Sequence, residues 1–92
     1  MRLFYRAEYM GTSAHDRKTE TWGERLREAR IRALLSQSAL ARRSDVARRA
    51  VIRIEQGESV PTDVTRERLA RAVGMDRDEL FPPELAPAKA SA

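Results

Sequence analysis

Three arginines, Arg48, Arg49 and Arg53, stand at positions that share the outward side of one short predicted helix. A guanidinium group can donate two parallel hydrogen bonds, either to the O6 and N7 atoms of guanine or to a phosphate. A helix that carries three of them along one side suits the major groove of duplex DNA. The residues therefore predict recognition of guanine-containing DNA, with contacts to phosphate alone as the alternative for Arg48 and Arg49.

The charge of the chain is divided between two segments. Residues 23–57 contain nine arginines and four acidic residues, a net charge of +5, whereas residues 58–85 contain four arginines and seven acidic residues, a net charge of −3. A basic surface attracts a polyanion because each neutralised phosphate releases condensed counterions. A solvated arginine-rich surface is the alternative interpretation of the same composition.

Other kinds of chemistry find little support in the sequence. The 92 residues contain no cysteine and one histidine, His15, which has no cysteine or paired acid to complete a metal site or a catalytic dyad. No apolar run approaches the roughly 20 residues of a membrane span, and the N-terminus lacks a signal-peptide pattern. We therefore expect no enzyme activity, no metal or cofactor, no membrane partner, and a cytoplasmic location.

The elements that position the arginines are predicted to be helices. Thr21 and Glu24 form a capping-box pattern at the start of the first helix, which should end near Leu34 and carry Trp22 as a packing anchor. Ser36 is the predicted N-cap of a second helix over residues 37–43. A tight turn over residues 44–46 should follow, and Asp45 tolerates the left-handed backbone that such a turn often needs.

The remaining helices are marked by similar start and stop signals. A third helix over residues 48–56 should end at Gly57, and a fourth should run from Thr62 or Asp63 to Gly74. Asp76 can cap a last turn that carries Leu80 and Phe81 into the core and stops at Pro82. The predicted core of the first three helices and the turn consists of Leu26, Ala29, Ala33, Leu40, Ala41, Val46, Val51 and Ile54.

The chain divides into three predicted regions. Residues 1–20 should form a flexible N-terminal arm, residues 21–81 a compact all-α domain of five helices, and residues 82–92 a disordered tail rich in Pro and Ala. The arm contains a short apolar patch that includes Leu3, Phe4, Tyr5 and Tyr9. Either Met1 or Met10 can be the natural start.

Two sequence stretches carry a family resemblance. Residues 35–57 read LSQSALARRSDVARRAVIRIEQG, and residues 69–75 and 78–81 read LARAVGM and DELF. These stretches resemble the helix-turn-helix and the later helices of the phage repressor and Cro family, also called XRE-type regulators. The resemblance covers about residues 22–81. It implies a repressor-like DNA-binding domain that places its third helix in the major groove.

The resemblance also assigns roles to individual residues. Ala47, Arg48, Arg49 and Arg53 fall where the family contacts bases, and Ala47 could touch a thymine methyl group. Residues at phosphate-contacting positions, with helix capping as an alternative role for the first two, are Ser36, Gln37, Arg43 and Gln56. Arg30 and Glu55 match a structural ion pair between the first and third helices, which should orient the reading helix.

Five residues depart from the family pattern. Asp45 replaces the usual turn glycine, and Ala47 replaces the usual capping hydroxyl of the third helix, at a cost of about 1 kcal/mol. Glu58 follows Gly57 where the family often has basic residues. Asp63 and Arg66 occupy positions at which apolar residues are common.

The predicted function is that of a sequence-specific transcriptional regulator, a repressor of the Cro or phage-repressor type. Its expected partner is double-stranded DNA with a two-fold symmetric operator and guanine-containing half-sites, bound by a homodimer. An antitoxin that represses its own operon is one alternative, and a protein-interaction module that reuses the fold is another. A toxin or polymerase is a possible protein partner.

Overall fold

The computed structural model describes residues 20–85, and within this range the chain is all-α. Its helices, in chain order, are α1 (Trp22–Arg32), α2 (Gln37–Ser44), α3 (Arg48–Glu55), α4 (Asp63–Val73) and α5 (Arg77–Leu80). The predicted five-helix architecture is confirmed. No helix of the described range is long and apolar enough to span a bilayer. The predicted arm, apart from Glu20, and the last seven residues of the predicted tail lie outside the described residues.

Hydroxyl side chains cap the starts of three helices, as the sequence predicts. At α1 the capping box is complete, because the Glu24 amide donates to Thr21 Oγ1 at 3.3 Å and the Thr21 amide donates to Glu24 Oε1 at 2.9 Å. Ser36 Oγ accepts from the amide of Ala39 at the start of α2. Thr62, rather than Asp63, caps α4. These bonds satisfy amides that have no partner within the helix.

A residue with left-handed backbone follows each of the four longer helices. Gly57 and Gly74 have φ near 77°, a conformation that costs glycine nothing, and Asp45 has φ of 61°. Leu34 also has φ of 61°, although it is neither glycine nor a short polar residue. The amide of Leu35 donates to the carbonyl of Arg30 across this turn. Helix α1 therefore ends at Arg32, two residues before the predicted end.

The helices pack around one core of buried apolar side chains. Its largest fully buried members, at below 2% exposure, are Phe81, Leu26, Leu40, Ile54, Leu69, Leu80 and Val51. Val46, predicted to fill the core, is only partly buried and packs against its edge. Ala33, predicted to share the inward face of α1, is also only partly buried, because the helix has already ended there.

Trp22 anchors the start of α1 to the end of the domain, as predicted. Its ring meets the ring of Phe81 edge to face, with centroids 5.5 Å apart, and its indole Nε1 donates to the carbonyl of Pro82 at 2.6 Å. The guanidinium of Arg66 lies 4.8 Å from the centre of the Trp22 ring. This cation–π contact explains why a charged residue is accommodated at position 66, where the family pattern favours an apolar one.

The packed domain extends beyond the boundary predicted at Phe81. Pro82 accepts the hydrogen bond from Trp22, and Leu85 packs against the core. Arg25 of α1 strengthens the same junction, because its guanidinium donates to the carbonyl oxygens of Glu79 and Leu80 at the end of α5. Residues 82–85 therefore belong to the fold rather than to a tail.

Candidate nucleic-acid interface

Helix α3 presents a basic side to solvent and an apolar side to the core. Val51 and Ile54 are buried, whereas Arg48, Arg49 and Arg53 are all exposed. The helix packs against α1 and α2, which hold it from behind and leave the arginine side open. A side of this kind has the width and donor groups to enter a major groove.

The start of α3 has no side-chain cap. Ala47 occupies the N-cap position, with φ of −59° and ψ of 140°, and its methyl group has no oxygen with which to bind the amides of the first turn. Ala47 is exposed and directly precedes Arg48 and Arg49. The departure noted in the sequence therefore exists in the structure as an uncapped first turn on the exposed side.

The turn between α2 and α3 is stabilised by bonds from both of its sides. Asp45 adopts the left-handed conformation, with φ of 61° and ψ of 39°, and the Val46 amide donates to the carbonyl of Ala41 at 3.1 Å. The buried hydroxyl of Ser44 donates to the carbonyl of Leu40 at 2.7 Å. From α4, Arg68 donates to the carbonyl of Asp45 at 3.2 Å. Helix α4 thus also forms a hydrogen bond to the turn that leads into α3.

Arg30 and Glu55 form a two-pronged ion pair between α1 and α3. Arg30 Nε lies 2.6 Å from Glu55 Oε2, and its NH2 group donates to Oε1 at 3.2 Å. The side chains are 13% and 3% exposed, so the pair is nearly removed from water. The third nitrogen of Arg30 donates to the carbonyl of Leu35, just before α2. One guanidinium therefore links α1 to α3 and to the residue two positions before α2.

Gln37 joins the same ion pair, a contact that the sequence did not predict. Its side-chain Nε2 donates to Glu55 Oε1 at 3.1 Å. Gln37 is partly buried at the first position of α2, whereas Ser36, the neighbouring predicted phosphate contact, is exposed and caps the helix. The two residues therefore have different surroundings although they are adjacent in the chain.

The other two predicted phosphate contacts lie apart from Ser36. Arg43 is exposed near the far end of α2 and lines an open groove of about 530 Å³ together with Asp45, Arg68 and Arg71. Gln56 is exposed immediately after α3. The structure thus brings Ser36 and Gln37 together at one end of α2 and places Arg43 at the other end, beside α4.

Gly23 is a positioning residue that sequence reasoning missed. It is buried in the first turn of α1, where its backbone approaches the carbonyl oxygens of Ile54 and Glu55 in the last turn of α3. A glycine inside a helical pattern often marks a close approach of this kind. That signal was present in the sequence, but nothing in it named the partner helix.

Residues 22–81 match the family model described as a helix-turn-helix domain. Among solved structures, the chain is similar to the restriction-modification controller protein C.AhdI from Aeromonas hydrophila, with 38% sequence identity, a TM-score of 0.63, and coverage of 65% of this chain and 91% of that one. It is also similar to the DNA-binding domain of the P22 C2 repressor, with 27% identity, a TM-score of 0.66, and coverage of 77% of this chain and 93% of that one.

A third similar structure is ComR from Streptococcus suis, with 25% identity and a TM-score of 0.64. The match covers 80% of this chain but 26% of ComR, so it concerns one part of a longer protein. A comparison with curated protein sequences gave no significant match.

Proposed function

The chain belongs to the phage repressor/Cro (XRE-type) family of helix-turn-helix transcription regulators, and we propose that it is a repressor that reads a specific duplex sequence in the major groove with α3. The observation that carries the proposal is the exposure of Arg48, Arg49 and Arg53 on one side of a helix whose other side is buried. Three bidentate donors on a firmly supported helix suit guanine recognition.

The proposed contacts fall into two classes. Base edges are read from the exposed side of α3, and phosphates are held at the two ends of α2 and after α3, which fixes the register of the protein on the duplex. The proposed base contacts are Ala47, Arg48, Arg49 and Arg53, and the proposed phosphate contacts are Ser36, Gln37, Arg43 and Gln56. A homodimer on a two-fold symmetric operator would place one α3 in each half-site.

The similarity to C.AhdI supports a second candidate within the same chemistry. That protein is described as a restriction-modification controller, and the similarity covers 91% of its length at 38% identity. In this alternative the chain controls a restriction-modification operon rather than a phage promoter. The two candidates differ in the position of the operator relative to genes and not in how α3 reads it.

Selection of bound duplexes from a randomised pool tests the proposal. The selected duplex is then titrated against a scrambled duplex over a range of salt concentrations. We expect a guanine-bearing, two-fold symmetric sequence that binds on the order of a thousandfold more tightly than the scrambled one. Salt-sensitive binding with no enriched sequence would contradict specific reading.

Two triple variants that remove the same charge distinguish sequence-specific recognition from general electrostatic attraction to DNA. Replacing Arg48, Arg49 and Arg53 with alanine should abolish the preference for the selected duplex, with the helical circular dichroism retained. The control, in which Arg27, Arg71 and Arg77 become alanine, loses the same charge from exposed positions outside α3 and should keep the preference. Retained specific binding by the first variant would contradict the assigned reading side.

A further inference from the structure

Gln37 stands at a phosphate-contacting position in the family pattern, yet its side chain forms a hydrogen bond to another residue of the same chain. The Nε2 atom donates to Glu55 Oε1 at 3.1 Å. A carboxylate only accepts hydrogen bonds, so the NH2 end of the amide must face Glu55 and the carbonyl end must face away from it. One of the two N–H groups that could hold a phosphate is therefore already used.

Glu55 is the point at which three helices meet. Its side chain is 3% exposed and accepts from Arg30 of α1 at 2.6 and 3.2 Å as well as from Gln37 of α2. Gln37 is the first residue of α2, and Glu55 is the last residue of α3. The bond between them therefore ties the start of one helix directly to the end of the other.

The two tied ends carry different parts of the proposed interface. Ser36, immediately before Gln37, is exposed at the start of α2, where amides and a hydroxyl could hold a phosphate. Arg53, two residues before Glu55, is exposed on the reading side of α3. Base and phosphate contacts can form together only if the distance between these two ends is fixed, since a site loosened by about 1 Å loses its selectivity.

We propose that Gln37 is a positioning residue for DNA specificity: through Glu55 it sets the phosphate-holding start of α2 in register with the end of α3 that carries Arg53. This inference rests on the proposed function. In this proposal, Gln37 contributes more to the preference for one DNA sequence over another than to the general affinity for DNA. A residue that merely held a phosphate would strengthen binding to every duplex alike.

The test compares Gln37→Met with Gln56→Met. Methionine keeps the length of the glutamine side chain and removes its donors, and Gln56 is an exposed glutamine at another proposed phosphate position. Dissociation constants are measured at one salt concentration for the selected and the scrambled duplex. We expect Gln37→Met to weaken binding to the selected duplex tenfold or more, with less than a twofold effect on the scrambled one. Gln56→Met should weaken binding to both duplexes alike and so leave the ratio of their dissociation constants unchanged.

A double-variant cycle examines the link to the reading helix directly. If Gln37 acts by placing Arg53, replacement of Gln37 should have little effect once Arg53 is alanine. In the Arg53→Ala background, Gln37→Met should then weaken binding to the selected duplex less than threefold. Gln37→Lys, which keeps a donor within reach of Glu55, should restore the ratio of the two dissociation constants. Additive losses in the cycle would overturn the proposal.

Four other outcomes would contradict either the positioning role or the proposed function on which it rests. Equal weakening on both duplexes would show that Gln37 acts on DNA only as a phosphate contact, and would overturn the positioning role. A lower Tm with an unchanged ratio would show that it serves the fold alone. If the wild-type protein prefers no duplex, the proposed function itself fails. A wild-type preference that Gln37→Met retains overturns only the positioning role.

Discussion

Gly23 of α1 lies so close to Ile54 of α3 that a methyl group added to the glycine would overlap the Ile54 carbonyl oxygen. The same methyl group would lie 2.9 Å from the carbonyl oxygen of Glu55. Backbone atoms in the last turn of a packed helix cannot rotate away as a flexible side chain can. The missing side chain at position 23 therefore allows the close spacing between α1 and α3.

Gly23→Ala should accordingly destabilise the fold and displace α3. Overpacking against backbone is expected to lower the free energy of unfolding by about 2 kcal/mol, measured by urea denaturation. The preference for the selected duplex should fall as well. The matched control is Gly74→Ala, which has nothing within 4 Å of the new methyl group and only the strain of φ at 77°. It should cost about 1 kcal/mol and leave the DNA preference intact. Equal effects of the two variants would argue against a spacing role for Gly23.

Arg30→Met should lower the free energy of unfolding more than simultaneous replacement of Arg30 and Glu55 does. The single variant leaves the Glu55 carboxylate buried without its main partner, and we expect a loss of about 3 kcal/mol in urea denaturation. Replacing Arg30 and Glu55 together with methionine removes both charges and should recover most of that loss. A double variant as unstable as the single one would indicate that the two side chains contribute mainly by packing.

Ala47→Ser should stabilise the protein by capping α3. The N-cap position now has no side-chain acceptor, and a serine hydroxyl there can bind an amide of the first turn, a gain of about 1 kcal/mol. Tm by circular dichroism measures the effect. Ala50→Ser, placed inside the same helix, has no such amide to bind and should give no gain. The cap hypothesis fails if both serines change Tm equally.

Leu34→Gly should also stabilise the protein, through the backbone. Leu34 is 91% exposed, so its side chain contributes little packing, while its φ of 61° is strained for any residue with a Cβ atom. Relief of that strain is expected to raise the free energy of unfolding by about 1 kcal/mol. Leu34→Ala keeps the strain and serves as the control. A gain from alanine comparable to that from glycine would locate the problem in the leucine side chain instead.

Arg53→Lys should separate a base contact from a phosphate contact. Lysine keeps the positive charge but lacks the rigid planar fork with which arginine matches the O6 and N7 atoms of guanine. At a base-reading position the selected duplex should therefore bind at least tenfold more weakly, whereas scrambled DNA should bind as before. Arg43→Lys, at a proposed phosphate position, should change little with either duplex. Unchanged binding by Arg53→Lys would reassign Arg53 to phosphate.

Much of the local structure could be predicted from the sequence because the signals are local. Thr21, Ser36 and Thr62 each bind amides within three residues, so the caps can be found by inspection. The turn at Asp45 was placed in the same way. The early end of α1 was missed because Leu34 carries no stop signal, and leucine is a strong helix former.

The features that the sequence did not indicate depend on contacts between residues that are far apart in the chain. The contact of Arg66 with Trp22, the approach of Gly23 to α3 and the bond from Gln37 to Glu55 all join separate helices. Periodicity assigns a residue to a face but does not name the side chain opposite. For that reason Arg66 looked like a departure from the family pattern, although the folded chain places it over an aromatic ring.

The bond from the Trp22 indole to the Pro82 carbonyl brings the first and last parts of the described fold to one place. Ends that meet make a domain tolerant of circular permutation, because a short linker can join them without stretching any helix. New ends could then be opened at the exposed residue Glu58, between α3 and α4. In such a permuted chain the order of synthesis would change and α4 would come first, while α3 would be reached last and would still face outward with its three arginines.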